Sequence, residues 1–121
     1  MGRGPDPPLG GNELLRVLTA LANPHRLRIM AALSDGGPNY VSRLARELGI
    51  GRPLLHMHLQ RLEAAGLISG RLELSDGGKT MRFFEVTPFA HLLTPEAVTH
   101  AAHTLTDPQQ DAADATKEES Q

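Results

Sequence analysis

The side chains best equipped for chemistry in this sequence are six histidines, at positions 25, 56, 58, 91, 100 and 103. No cysteine is present to supply a thiolate ligand, a disulfide or a sulfur nucleophile. His100 and His103 stand three residues apart and share a helix face, which is legitimate spacing for two metal ligands. A metal-responsive site would join them to His91. Against it, the pair lies opposite the apolar stripe of its helix, no carboxylate is read one turn away on the polar side, and Thr94-Pro95 interrupts the path to His91. The expectation is a solvated polar face with no metal and no cofactor. Ser34, Ser42, Ser69 and Ser75 have no nucleophile setting, no glycine motif cradles a phosphate, and no local spacing pairs two carboxylates. The sequence therefore points away from an enzyme.

A second kind of chemistry, the reading of base edges, is available between residues 52 and 61. With Leu55 as origin and about 100° per helical residue, Leu55, Leu59 and Leu62 cluster inward with His58 at their flank. His58 is expected to pack rather than to bind. The other side shows Arg52, Pro53, His56, Met57, Gln60 and Arg61, with Leu54 at its margin. Gln pairs with adenine and Arg with guanine in the major groove, and apolar side chains such as Met57 and Leu54 meet thymine methyls. Further on, Arg71, Lys79 and Arg82 bracket a Gly-Gly turn and could grip phosphates or probe the minor groove. The bland alternatives are a solvated helix face and ordinary surface charge.

Such residues need elements to present them. Aromatics are 3% of the sequence against 40% hydrophobic residues in all, so the core must come from aliphatic side chains, which suits packed helices. A chain of 121 residues fits one domain. Asn12 could cap a first helix carrying Leu14, Leu15, Val17, Leu18, Leu21 and Ala22, which should stop at Asn23-Pro24. Pro24 opens a second helix to about Leu33, followed by a loop over residues 34–38. A third helix covers about Val41 to Leu48, capped by Asn39 or Ser42. After Gly49-Ile50-Gly51 a longer one runs from Arg52 to about Ala65. Two helices joined by a three-residue, glycine-bearing turn match the helix-turn-helix pattern. Leu67 to Leu74 and Lys79 to Val86 read as a hairpin. Thr94 caps a last helix from Pro95 to Leu105. The fold class expected is mainly α with a small β-hairpin, a winged helix-turn-helix of about five helices and a two-stranded wing.

The ends differ from the middle. Residues 1–10 are rich in Gly and Pro and residues 106–121 are polar and acidic, so both are expected to be disordered, leaving 11–105 as the folded domain. The net charge of −2 comes from the tail, which sets five acidic residues against Lys117. From Tyr40 to Arg82 there are seven basic residues to four acidic, a modest excess where a nucleic-acid surface would have to lie. The first residues hold no apolar run suited to a signal peptide, and no stretch nears the roughly 18 apolar residues of a membrane span, so a cytoplasmic location is expected.

Laid out in this order, the sequence resembles the ArsR family of winged-helix regulators. The stretch ALANPHRLRIMAAL from Ala20 to Leu33 follows the family's second-helix signature. LARELG from Leu44 to Gly49 and HLQRLEAAGLI from His58 to Ile68 are similar to its paired helices, and Asp76-Gly77-Gly78 with Phe83, Phe84 and Val86 resembles its wing. The resemblance implies a homodimeric repressor of double-stranded DNA whose first and last helices form the interface. Here that means Leu14, Leu15, Leu18 and Leu21 with Val98, Ala101, Ala102 and Leu105. Apolar stripes wider than one small domain needs fit that burial. Two departures stand out. The family's cysteine pair is replaced by Arg43-Leu44-Ala45, and His100 and His103 echo only half of the family's last-helix metal site. The alternatives are a protein-interaction module of the same fold and a histidine-based metal-responsive repressor.

Overall fold

Pro24 and Asn23 together begin the helix on which the core is built. The computed structural model describes residues 4–106. Its elements are α1 (Gly11–Leu21), α2 (Pro24–Gly36), β1 (Asn39–Tyr40), α3 (Val41–Leu48), α4 (Arg52–Ala64), β2 (Ile68–Leu74), β3 (Thr80–Val86) and α5 (Pro95–His103). Asn23 is extended, and its side-chain oxygen accepts from the backbone N–H groups of His25 and Arg26 at 2.9 and 3.2 Å, two donors that the first turn would otherwise leave unpaired. The helix runs three residues further than its apolar pattern predicts. Ser34, Asp35 and Gly36 are helical, and the stop is set by Gly37, which precedes Pro38 and has φ 81°.

Other caps differ from the sequence expectation. α1 begins at Gly11, whose N–H donates to Thr104 Oγ1 at 2.8 Å, while Asn12 donates its side-chain N–H to Thr106 Oγ1 at 2.5 Å and caps nothing. α3 starts after Tyr40 with no side-chain cap. Asn39 instead accepts the Tyr40 N–H at 2.8 Å and reaches Glu47, which occupies the side chain the cap would need. Thr94 caps α5 as its sequence implies, accepting from Ala97 N–H at 3.0 Å.

The wing is a three-stranded antiparallel sheet in the order β1-β3-β2, not a lone hairpin. Two residues, Asn39 and Tyr40, pair with Phe84 and Phe83. So short a strand has no alternation to detect, which is why periodicity missed it. β2 and β3 pair from Ile68↔Val86 to Leu74↔Thr80.

The chain divides into two compact units. The larger, residues 17–88, holds the helix-turn-helix and the sheet. Ile29 and Leu33 of α2, Val41, Leu44 and Ala45 of α3, Leu55, Leu59 and Leu62 of α4, Leu67, and Ile68 and Phe84 of the sheet are its buried core. Truncating one such leucine costs about 2–5 kcal/mol in comparable cores. The other unit joins the start of α1 to the segment from Phe89 onward, because Gly11 and α5 make contacts of their own. Residues 4–10 form no helix or strand, as their glycines and prolines imply, yet they are not a free arm. Asp6 donates its N–H to the Ala90 carbonyl at 2.6 Å and accepts the Ala90 N–H at 2.9 Å. The acidic tail expected to be disordered lies, beyond Thr106, outside the described residues.

Candidate nucleic-acid interface

The turn between α3 and α4 depends on Gly49. Its φ of 69° and ψ of 32° are left-handed, a conformation costly for residues with a Cβ, and its N–H donates to the Ala45 carbonyl at 2.9 Å. Ile50 N–H shares that acceptor at 3.2 Å, closing α3. Gly51 is extended, and Pro53 sits in the first turn of α4, where its missing N–H is not needed.

α4 then divides as the 100° periodicity predicts. Leu55, Leu59 and Leu62 are no more than 1% exposed and His58 is 2% exposed. Arg52, Pro53, Leu54, His56, Met57, Gln60 and Arg61 are exposed, and the structure brings all seven to the solvent side of one helix. Leu54 and Met57 are each 41% exposed, so an apolar step stands among polar groups. Among the described residues Arg46, Arg52 and Arg61 have no ion-pair partner, while Arg43 pairs with Glu47 at 3.2 Å.

The wing cations are held differently from one another. Lys79 closes the turn through its backbone, donating N–H to Ser75 Oγ at 3.1 Å, and its ammonium has no ion-pair partner among the described residues. Arg71 is bound to Glu73 at 2.8 Å and to Glu85, with its guanidinium 4.7 Å from the centre of the Phe83 ring. The hydrogen bond to Glu73, followed by Glu85, holds Arg71 above the ordinary guanidinium range. Arg82 reaches Glu63 of α4 at 3.6 Å and lies 5.1 Å from the centre of the Phe84 ring. Glu63 also accepts the Gly70 N–H at 3.2 Å, fastening the end of α4 to β2. The Arg71–Glu73 pair was legible as an i,i+2 pair on one strand face, but Glu85 enters only through the strand register.

Sequence reasoning missed the partner of His58. Arg26 Nε–H donates to His58 Nδ1 at 3.0 Å, and no local spacing connects residues 26 and 58. Burial first, then Arg26, then His25 lower the His58 pKa below its ordinary value, so the ring is neutral.

The histidines at the other end are not assembled into a metal site. No group of three or more His, Asp or Glu among the described residues is placed to hold an ion. His91 lies 3.9 Å from Asp6 and stacks on Phe89 with ring centres 6.0 Å apart. His100 and His103 are exposed on α5. One correction applies to their sequence reading: Glu96 stands one turn before His100, so a carboxylate is within reach of that face. Of the residues expected at a subunit interface, Leu15, Leu18, Val98, Ala102 and Leu105 are exposed and Leu14 and Leu21 are half-buried. Ala101 is already buried within its own chain. No helix among the described residues is long and apolar enough to cross a membrane.

Comparison with known proteins bears on this geometry. Residues 23–69 match the model of the arsR family of bacterial regulatory proteins. An uncharacterized HTH-type transcriptional regulator of Methanocaldococcus jannaschii is 30% identical over 86 residues, which cover 71% of this chain and 88% of the relative. Among solved structures, the homodimeric winged helix-turn-helix DNA-binding domain Mb0332 of Mycobacterium bovis is 25% identical with a TM-score of 0.55. The match covers 89% of this chain and 84% of that one. The transcriptional repressor BigR from Xylella fastidiosa is 25% identical with a TM-score of 0.53, covering 76% and 82%.

Proposed function

Because the chain belongs to the ArsR family of transcriptional regulators, which are not enzymes and carry a winged helix-turn-helix DNA-binding fold, we propose that it is a homodimeric repressor that reads an inverted-repeat operator with α4. The observation that carries this reading is the division of α4. A helix whose inner face is spent on leucines presents Arg52, Leu54, His56, Met57, Gln60 and Arg61 outward, with Arg52 and Arg61 unpaired among the described residues. Those types supply both the hydrogen-bonding and the methyl-contacting groups that distinguish base pairs in the major groove. Pro53 starts the helix so that its first turn faces the same way. Lys79 at the wing turn adds a backbone contact, with Arg71 and Arg82 available only in competition with Glu73, Glu85 and Glu63.

Dimer formation is supported by apolar surface that the chain leaves uncovered. Leu15 and Leu18 of α1 are 54% and 41% exposed, and Val98 of α5 is 49% exposed. The M. bovis relative is described as homodimeric and the X. fastidiosa one as a repressor, which favours both halves of the proposal. A two-fold dimer places half-site centres about one helical turn apart, roughly 10 to 10.5 base pairs, or a multiple of it. The proposed site of action is the cytoplasm, and the proposed DNA reading calls on no metal or cofactor.

The test is selection of bound fragments from the source genome at physiological salt, followed by titration of Gln60→Ala and Arg61→Ala. Each substitution is expected to cost about 1–3 kcal/mol on the selected site and to relax discrimination at particular bases. Variants that bind every duplex as the parent does would show that α4 reads no bases and that the fold serves protein interaction instead. For the dimer, sedimentation of the parent against a Leu18→Gln and Val98→Glu double variant should show loss of association.

A further inference from the structure

Three leucines line the inner face of α4, and beside them stands His58, 2% exposed, whose Nε2 has no hydrogen-bond partner among the described residues. An orphan polar atom is a cost that a fourth leucine would avoid, so some compensating interaction keeps histidine there. That interaction is with Arg26. The guanidinium donates Nε–H to His58 Nδ1 at 3.0 Å and uses Nη1 for the Thr19 and Ala20 carbonyls at 3.2 and 3.4 Å. Its own backbone N–H is held by the Asn23 cap at 3.2 Å. One side chain of α2 thus grips the last turn of α1 on one side and the middle of α4 on the other.

We propose that Arg26 is a positioning residue for base reading, fixing the rotation of α4 through its bond to the His58 ring and anchoring that bond on the Thr19 and Ala20 carbonyls of α1. The proposal rests on α4 being the reading helix. The hydrophobic drive that buries the leucines has no direction of its own, whereas an N–H···N bond has one and adds a specific restraint on rotation. His58 follows Met57 and lies two residues before Gln60. A rotation of about 10–20° about the helix axis would shift side-chain tips at a radius of about 5–6 Å by roughly 1–2 Å, beyond the tolerance of a paired contact to a base.

The bond also dictates a protonation state. An always-charged guanidinium donates to Nδ1, so that nitrogen must be unprotonated and the ring proton sits on Nε2. The titratable and charged groups acting on His58 are Arg26 and His25, both from α2, with the His25 ring centre 5.4 Å away. The elements packed on the rest of α4 turn Val41, Leu44 and Ala45 of α3 and Ile68 of β2 inward, none of them ionisable. A second proton on His58 would replace the acceptor by a donor facing Arg26 and release the helix.

The experiment measures the affinity of the full-length protein for a selected duplex and for an unrelated one at fixed salt, for the parent, Arg26→Met, His58→Leu and His58→Asn. The first two are expected to lose about tenfold on the selected duplex, equivalent to about 1.4 kcal/mol, and less than about twofold on the unrelated one. His58→Asn places an amide oxygen near the position of Nδ1 and should restore discrimination. Lowering the pH through the histidine range should erode the parent's preference by more than that of His58→Asn, which keeps His56 on the reading face but lacks the ring bonded to Arg26. Equal losses on both duplexes, no loss, or an Asn variant that behaves like the Leu variant would overturn the proposal. Where Arg26→Met or His58→Leu melts too low to assay, the pH comparison decides, since parallel profiles for parent and His58→Asn contradict it. A parent without preference for any duplex overturns the underlying reading as well. A parent that discriminates and an Arg26→Met that discriminates equally overturn only this inference.

Discussion

Replacing Lys79 by Ala should change how DNA affinity depends on salt far more than replacing Arg71 by Met. The two residues look alike in sequence, as basic side chains flanking one turn. In the structure the Lys79 ammonium has no ion-pair partner among the described residues, whereas Arg71 is bound to both Glu73 and Glu85. Each phosphate neutralised by a protein cation contributes about 0.9 to the slope of log affinity against log salt. A dimer with one Lys79 contact per wing therefore loses about 1.8 from its slope in Lys79→Ala. Between 50 and 200 mM salt, that difference makes the parent's affinity fall about twelvefold more than the variant's. Arg71 shares its charge with two carboxylates and so releases fewer counterions on binding. Its loss should lower the slope by distinctly less, on the order of half as much or smaller. Fluorescence anisotropy on one unrelated duplex at four or five salt concentrations measures both slopes without knowledge of the operator. Equal slopes for Lys79→Ala and parent, or equal reductions in the two variants, would refute the reasoning from ion pairing.

Three further outcomes follow from the packing and the buried ring. Gly11→Ala should destabilise the protein by about 1–3 kcal/mol in a thermal melt despite alanine's higher helix propensity, because the overpacking term wins. A Cβ there would run into the Ala101 carbonyl and lie 2.6 Å from Leu105 Cγ. Asn23→Ala should cost about 1 kcal/mol by urea titration, since it leaves the His25 and Arg26 N–H groups without their shared acceptor. Burial first, then Arg26 and His25, lower the folded-state pKa of His58 from 6.5, so the unfolded chain protonates first on acidification. This contribution to stability is complete above the ordinary histidine value, is lost as pH falls through it toward the folded value, and should be missing from a pH series on His58→Asn.

Helices and their faces were legible because they are local. The spacing of Leu55, Leu59 and Leu62 assigns the inner side of α4 and, by subtraction, the outer one from Arg52 to Arg61. Pro24, Gly49-Ile50-Gly51 and Thr94-Pro95 mark boundaries through constraints that act within a few residues, and the run of motifs from Ala20 to Val86 was enough to suggest the family. Where a competing partner lay beyond the first turn of the helix, the local rule failed. Asn12 turns to Thr106 and Asn39 to Glu47, and neither caps the helix expected of it.

What only the tertiary structure decided is how distant groups share their charges and hydrogen bonds. Glu85 meets Arg71 and Asn39-Tyr40 joins β3 through the register of the sheet, and Glu63 meets Arg82 through the packing of α4 on the sheet, none of them through sequence spacing. Asp6 reaches Ala90 from a segment whose composition implied disorder. His58 could be placed on the inner face of its helix from periodicity, but periodicity says nothing of what waits there. Hydrophobic burial depends on a residue's own type and repeats with the helix, while a directional bond requires a named partner, and Arg26 lies 32 residues away in sequence.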